Sequence, residues 1–140
     1  MFTKIDLRWG YNNMRIKEED KWKAAFIMSK GSFEPMVMFF RLTNSPATFQ
    51  TMMNELLRDL IVIGKVVAFI NNIIIEAEDK EGYDELVGEV VKRLKENNLY
   101  VKPENCKWKV REVGFLGVVI GPERIEMEKK CYNQCLLENA

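Results

Sequence analysis

The sequence contains no histidine. That removes the Ser-His-Asp and Cys-His nucleophile schemes, which need an imidazole to carry the proton. It also removes every zinc site with a histidine ligand. Cysteine is scarce, at Cys106, Cys131 and Cys135 only. An odd count without CxxC spacing argues against a disulfide framework and for a reducing compartment, cytoplasm or nucleus. Cys131 and Cys135 would share a helix face at i,i+4, but two thiols make only half a metal site. Net charge is absent too, with Lys+Arg and Asp+Glu at 21 each. That balance argues against a grip on nucleic acid by bulk electrostatics, since that term comes from neutralising phosphates; a local basic groove stays open. No apolar run approaches the ~20 residues a membrane span needs, and no charged-then-apolar leader opens the chain, so no membrane partner is expected. Phe2 begins a strand-like stretch directly after Met1, as though the chain were cut into a fold.

What is present is a chain of 140 residues, 47% hydrophobic and 30% charged. Those values fit one globular domain long enough to bury a core. Phe2 to Asp6 reads as a strand ending in an acid. Asn13 to Ile16 and Lys23 to Met28 are expected to pair as a hairpin around the polar KEEDK turn. Gly31 and Pro35 mark a loop before a short apolar run, Met36 to Phe40.

The clearest signal follows. Ser45 is a good N-cap, Pro46 suits the first helical position, and apolar residues recur at Phe49, Met52, Met53, Leu56, Leu57 and Leu60. One continuous helix is expected, closed near Gly64. A second stripe at Tyr83, Leu86, Val87, Val90, Val91 and Leu94 predicts a helix ending near Asn97-Asn98. Leu99 to Lys102, Cys106 to Val110 and Val113 to Ile120 read as strands, and the tail from Glu126 is polar.

Between the two helices lie Val66 to Ile70 and Ile73 to Ala77, two β-branched runs separated by Asn71-Asn72. Two-residue hairpin loops require positive φ, which asparagine tolerates better than most residues, so a tight turn on the two asparagines is expected. Without the early insertion the order is βαββαβ, an α+β, ferredoxin-like pattern. That topology can bring Asp6 beside Asn71 and Asn72. Three oxygen-bearing side chains at one sheet edge suggest a former or weak cation site.

Several ordered segments carry a resemblance: FTKIDLRWGYNNMRI, WKAAF, MFFRLTNSPATFQ, VVAFINNIII, LYVKPENCKW and VGFLGVVI. From Phe2 to about Ile125 the chain resembles the reverse transcriptases of gypsy-type LTR retrotransposons. The resemblance implies a polymerase palm with a partial fingers insertion over 1–125, truncated at both ends, and a polar tail over 126–140. It also implies an RNA/DNA primer–template as partner and two Mg²⁺ ions as cofactors. On the matching positions, Asp6 is implied as a metal-binding catalytic aspartate and Tyr11 as the aromatic residue that excludes a ribose 2′-hydroxyl. Pro46 and the helix through Gln50 are implied to lie beneath the nascent base pair and template. Phe115, Leu116 and Gly117 are implied to support the primer end.

The departures bear on chemistry. The family's Tyr-x-Asp-Asp corresponds here to Phe69-Ile70-Asn71-Asn72, so two aspartates have become asparagines and Asp6 alone remains as a metal ligand. Mg²⁺ sheds water reluctantly even for carboxylates, and a neutral carbonyl is a weaker inducement. Arg41 stands where the family has a glycine that lets the nucleotide approach the backbone. Its side chain either projects into that pocket or turns out to solvent. Asn105 stands where the family often has lysine. These changes imply a catalytically inactive reverse transcriptase fragment that binds no Mg²⁺ tightly. The alternative is a binding module for nucleic acid or protein that reuses the palm surface, with Arg8, Lys23, Arg41, Lys65 and Lys102 beside Trp9, Tyr11 and Trp22. Missing flanking strands would leave palm surface uncovered, inviting self-association.

Overall fold

The computed structural model describes residues 1–128. Its organising strand is β1 (Phe2–Arg8), whose alternation decides two cores. Thr3, Ile5 and Leu7 are buried on one face, while Phe2 is buried on the other. Ile5 and Leu7 join Phe49, Met53, Leu57, Val90 and Leu94 in the main cluster. Each such side chain, fully buried, contributes about 1.5–3 kcal/mol of hydrophobic stabilisation. Phe2 joins Ile74, Val113 and Phe115 in a smaller cluster.

Strands β2 (Phe26–Met28) and β3 (Gly31–Phe33) form a hairpin before the first helices, α1 (Ser45–Leu56) and α2 (Arg58–Val62). β4 (Val66–Phe69) and β5 (Asn72–Glu76) follow, then α3 (Lys80–Glu96), β6 (Tyr100–Val101) and β7 (Lys107–Val110). The main sheet is ordered β4-β5-β1-β6, with β7 also on β1. β6 and β7 therefore share one edge of β1, interrupted by a 3-10 turn at Pro103–Asn105. Apart from the insertion this is the βαββαβ arrangement, and the fold class is α+β as expected.

Three sequence expectations are displaced by tertiary contacts. Asn13 to Ile16 does not pair with Lys23 to Met28. Instead Ile16 N donates to Met36 O (3.0 Å) and Met38 N to Met14 O (2.8 Å), while β2 pairs with β3. The KEEDK segment lies within a 3-10 helix, Glu18–Ala24, with Lys21 and Lys23 paired to Glu18 and Asp20 three residues back. The expected single helix is broken at Leu57 (φ −109°, ψ 16°) with no glycine or proline there. Arg93 on α3 supplies the reason: its Nη1 donates to Leu56 O at 3.2 Å, intruding on the carbonyl ladder. Ser45 is inside α1 and Asn44 occupies the cap position without a side-chain cap bond, leaving the buried Ser45 Oγ unpartnered.

The helix ends agree with the sequence. After α2, Gly64 (φ 75°) takes the left-handed position, with Gly64 N donating to Ile61 O and Lys65 N to Leu60 O. After α3, Asn98 (φ 55°) does the same, with bonds from Asn98 N to Lys95 O and Leu99 N to Leu94 O.

Val113 to Ile120 is a hairpin and not one strand. β8 (Val113–Phe115) turns through Leu116 (φ 51°) and Gly117 (φ 80°) into β9 (Val118–Ile120). Two consecutive positive φ values are the requirement of a tight hairpin turn. β10 (Ile125–Met127) pairs with β9, so the boundary expected at residue 125 falls inside a strand. Cys131 and Cys135 lie outside the described residues. Among those described, no helix is long and apolar enough to cross a membrane.

Candidate functional site

The register of β1 against β5 sets Asp6 directly opposite Asn72. Leu7 N donates to Asn71 O at 2.8 Å, which fixes the hairpin loop against the end of β1. The three residues expected to meet are thus brought together. The turn itself is shifted by one residue. Phe69 pairs with Asn72, so the two loop residues are Ile70 and Asn71, and the positive φ (51°) falls on Ile70. A β-branched residue is disfavoured there, and the conformation is held from outside. Gln50 on α1 accepts from Ile70 N at 2.7 Å and donates to Ala68 O at 2.8 Å. Both ends of its amide are committed to the hairpin, and Gln50 acts on the site by positioning the loop.

Asp6 is enclosed by the segment between β6 and β7. Lys102 N donates to Asp6 O at 2.7 Å, and Asp6 N lies 3.4 Å from Cys106 Sγ. Asn105 Nδ2 donates to Asp6 Oδ2 at 2.7 Å. The surrounding cleft, about 390 Å³, is lined by Asp6, Arg8, Trp9, Asn71, Lys102 and Glu104. Glu104 is ion-paired to Arg8 at 3.1 Å. Its carboxyl is held below its ordinary range chiefly by a backbone hydrogen bond, with the charges of Arg8 and Lys102 adding to it.

Asn71 Oδ1 is buried and has no hydrogen-bond partner. Gly10 packs over it: a Cβ added there would lie 2.8 Å from that oxygen and 2.5 Å from Phe49 Cζ. A pair of Mg²⁺ ions does not fit this donor set. Asp6 has one oxygen taken by an amide, Asn71 and Asn72 are neutral, and Glu104 is neutralised by Arg8. Among the described residues no group of three or more His, Cys, Asp or Glu could hold a metal.

The other expected residues make none of the hydrogen bonds at Asp6, Asn71 and Asn72. Tyr11 is buried, with its ring 5.4 Å from Phe49 and 6.3 Å from Phe40, and burial pushes its phenol above the usual value. It packs inward because Trp9 and Gly10 begin a 3-10 turn that carries the ring beneath the strand end. Arg41 is exposed. Pro46 stands in the first turn of α1. Phe115 is buried in the small cluster, Leu116 is exposed, and Gly114 O accepts from Lys4 Nζ at 3.1 Å. Sequence reasoning did not single out Gly10 as the neighbour of Asn71, nor Glu104 and Cys106 as neighbours of Asp6. Only the chain's return along β1 places the latter two, and no local pattern signals it.

Residues 1–120 match the family described as reverse transcriptase (RNA-dependent DNA polymerase). The Transposon Tf2-7 polyprotein of Schizosaccharomyces pombe is 32% identical over 117 residues, which cover 84% of this chain and 9% of the polyprotein. The Tf2-3 polyprotein of the same yeast is 31% identical over the same coverage. The chain thus spans about a tenth of the length of these curated relatives. Among solved structures, the foamy viral protease-reverse transcriptase in complex with an RNA/DNA hybrid superposes with a TM-score of 0.84 at 21% identity, over 96% of this chain and 18% of that one. A form of it in complex with double-stranded DNA gives a TM-score of 0.85, with 96% and 23% coverage. These structures share the fold.

Proposed function

The chain belongs to the reverse transcriptase (RNA-dependent DNA polymerase) family, as a palm region of the LTR-retrotransposon type, and from that premise we propose that it no longer performs nucleotidyl transfer. The observation that carries the proposal is the pairing of Asp6 with Asn72 across β1 and β5, beside a buried, neutral Asn71. Two-metal catalysis needs anionic oxygens to hold ions that activate the attacking 3′-oxygen and neutralise the leaving pyrophosphate. A single carboxylate, already hydrogen-bonded by Asn105, leaves the triphosphate charge uncompensated. Since metal charge supplies most of the stabilisation in phosphoryl transfer, its loss removes many orders of magnitude in rate.

Primer extension tests the reading. The wild-type chain is expected to incorporate nothing above background in Mg²⁺ or Mn²⁺. Incorporation that Asp6→Ala abolishes overturns the proposal. In the triple reversion Asn71→Asp, Asn72→Asp, Arg41→Gly, restored metal binding without extension places a second defect outside these three positions. The palm-like unit is proposed to extend past residue 125, because β10 pairs with β9.

A second reading, that the palm still holds a primer–template without catalysis, is favoured by exposed Trp9 and Trp22. Each lies near a cation, Arg8 at 6.0 Å and Lys23 at 5.9 Å from the ring centroids. Salt-dependent retention of a labelled primer–template supports it, and no retention at low salt removes it. Self-association is read from the β2–β3 hairpin, where Phe26, Ile27, Met28 and Phe33 are exposed. Sedimentation velocity decides that: a concentration-independent monomer ends it.

A further inference from the structure

We propose that the cleft where the end of β1 meets β6 binds a single nucleobase, stacked on Trp9 and Tyr100 beside Arg8. The cleft is distinct in outlook from the Asp6 cleft, although Arg8 and Trp9 border both. It encloses about 530 Å³, and its lining includes Trp9, Tyr100, Arg8, Asn12, Asn13 and Pro103. That volume lies within the range of small-ligand sites.

Two large aromatic residues are left in water here, Trp9 at 72% and Tyr100 at 64% exposure. Packing does not account for either. Tyr100 is held by register, because it pairs with Arg8 across β1 and β6. Trp9 is held by a left-handed backbone (φ 50°, ψ 40°), a conformation that costs a bulky residue free energy. That strain sends Gly10 under the hairpin loop and leaves the indole outside. Backbone outliers of this kind gather at ligand sites.

The remaining lining suits a base more than a plain hydrocarbon. Asn12 and Asn13 are exposed and bring amide donors and acceptors that can meet a base edge. Arg8 lies 6.0 Å from the Trp9 ring and is tied to Glu104 at 3.1 Å, so one side of the cleft is ordered without ligand. The same ion pair neutralises Arg8. Stacking and edge contacts, more than phosphate attraction, therefore carry the affinity. The base comes from a free nucleotide or from an unpaired position of a strand; the shared chemistry is a flat heteroaromatic ring with a hydrogen-bonding edge. The inference rests on the palm surface still meeting nucleotides, not on duplex binding or on the loss of catalysis.

The test is fluorescence anisotropy of etheno-AMP added to the whole chain, in low and moderate salt. A saturable rise is expected, displaced by AMP and not by ribose 5-phosphate. Trp9→Ala and Tyr100→Ala each weaken it, by between about fivefold and a hundredfold, the range that base–aromatic stacking supplies. Trp108→Ala, an exposed tryptophan on β7 outside the cleft, leaves it unchanged. Both cleft substitutions are at exposed positions, and circular dichroism melts are expected to match the wild type. Displacement by a short oligoadenylate more strongly than by AMP assigns the site to a strand; displacement by AMP alone assigns it to free nucleotide. Either result upholds the cleft. Absence of a saturable rise, equal displacement by ribose 5-phosphate, or indifference to both cleft substitutions overturns it. Failure of primer–template retention with etheno-AMP binding intact removes only the duplex reading.

Discussion

Asn105 donates its side-chain amide to Oδ2 of Asp6 at 2.7 Å, so the carboxylate retained at the end of β1 is engaged from within the chain. Its strand partner is Asn72, and the loop beside it buries the unpartnered Oδ1 of Asn71. The strand end thus presents one carboxylate beside two neutral amides.

That difference predicts how reversion behaves. Replacing Asn71 and Asn72 with aspartate puts three carboxylates at one strand end, one of them with an oxygen away from water. Without metal the double variant is expected to be destabilised, because the oxygen already buried without a partner at Asn71 would become part of a carboxylate facing two like charges. Mn²⁺ should restore the melting temperature, because an ion that binds only the folded state stabilises it. Electron paramagnetic resonance should show saturable Mn²⁺ binding in the variant and none in the wild type. Adding Asn105→Ala should strengthen it by freeing Asp6 Oδ2. Equal Mn²⁺ binding by wild type and variant would count against the reading.

Gln50→Leu should loosen the hairpin without emptying the core. Gln50 meets Ile70 N and Ala68 O at once, holding a β-branched residue at φ 51°. Removing it strands one backbone donor and one acceptor, a loss of about 1–3 kcal/mol for each group left unsatisfied away from water. Urea unfolding measures the loss, and amide exchange at Ile70 and Asn71 should accelerate more than at Val90.

The same hairpin shows how far the sequence could be read. Apolar β-branched runs around two residues announced a tight turn, and the pairing of Asp6 with Asn72 follows from the topology. The turn residues could not be placed, because a contact 20 residues away, from Gln50, outweighs the preference of asparagine for positive φ. The stripe on α3 was legible because 3.6-residue periodicity is local: Tyr83, Val90 and Leu94 are buried as expected. The break at Leu57 was not, since it depends on Arg93 reaching across from another helix. At the site, Asp6, Asn71 and Asn72 were legible as chemistry, whereas Glu104 and Cys106 arrive only by the return of the chain along β1.

Gly10→Ala should distort the site directly. An added Cβ would meet Phe49 Cζ at 2.5 Å and Asn71 Oδ1 at 2.8 Å, both shorter than van der Waals contact. Phe49 is fully buried and cannot retreat, so the expected loss is about 1–3 kcal/mol, the usual range for overpacking. Gly82→Ala has open space around it and serves as the control, expected to be neutral or slightly stabilising on α3. Equal melting temperatures for the two variants would contradict the close packing of Gly10 on the hairpin.

Acid stability should report the tie between α2 and α3. Arg93 donates to both oxygens of Asp59, at 2.5 and 2.8 Å, and to Glu89 at 2.7 Å. The guanidinium hydrogen bonds hold the Asp59 carboxyl at about 2, against an ordinary 3.8. A depressed carboxylate favours the folded state above its unfolded value, and the benefit is lost as pH falls through the folded value. The difference in urea midpoint between wild type and Asp59→Asn should therefore be constant above about pH 5 and shrink between about pH 4 and pH 2. Asp59 is largely solvent-exposed, so the difference is small and falls further in high salt. Arg93→Met should remove the same acid-dependent component and also uncover Leu56 O, making it the more destabilising change at neutral pH. A midpoint difference that stays flat from pH 5 to pH 2 would refute the assignment of this pair as the acid-sensitive link between the two helices.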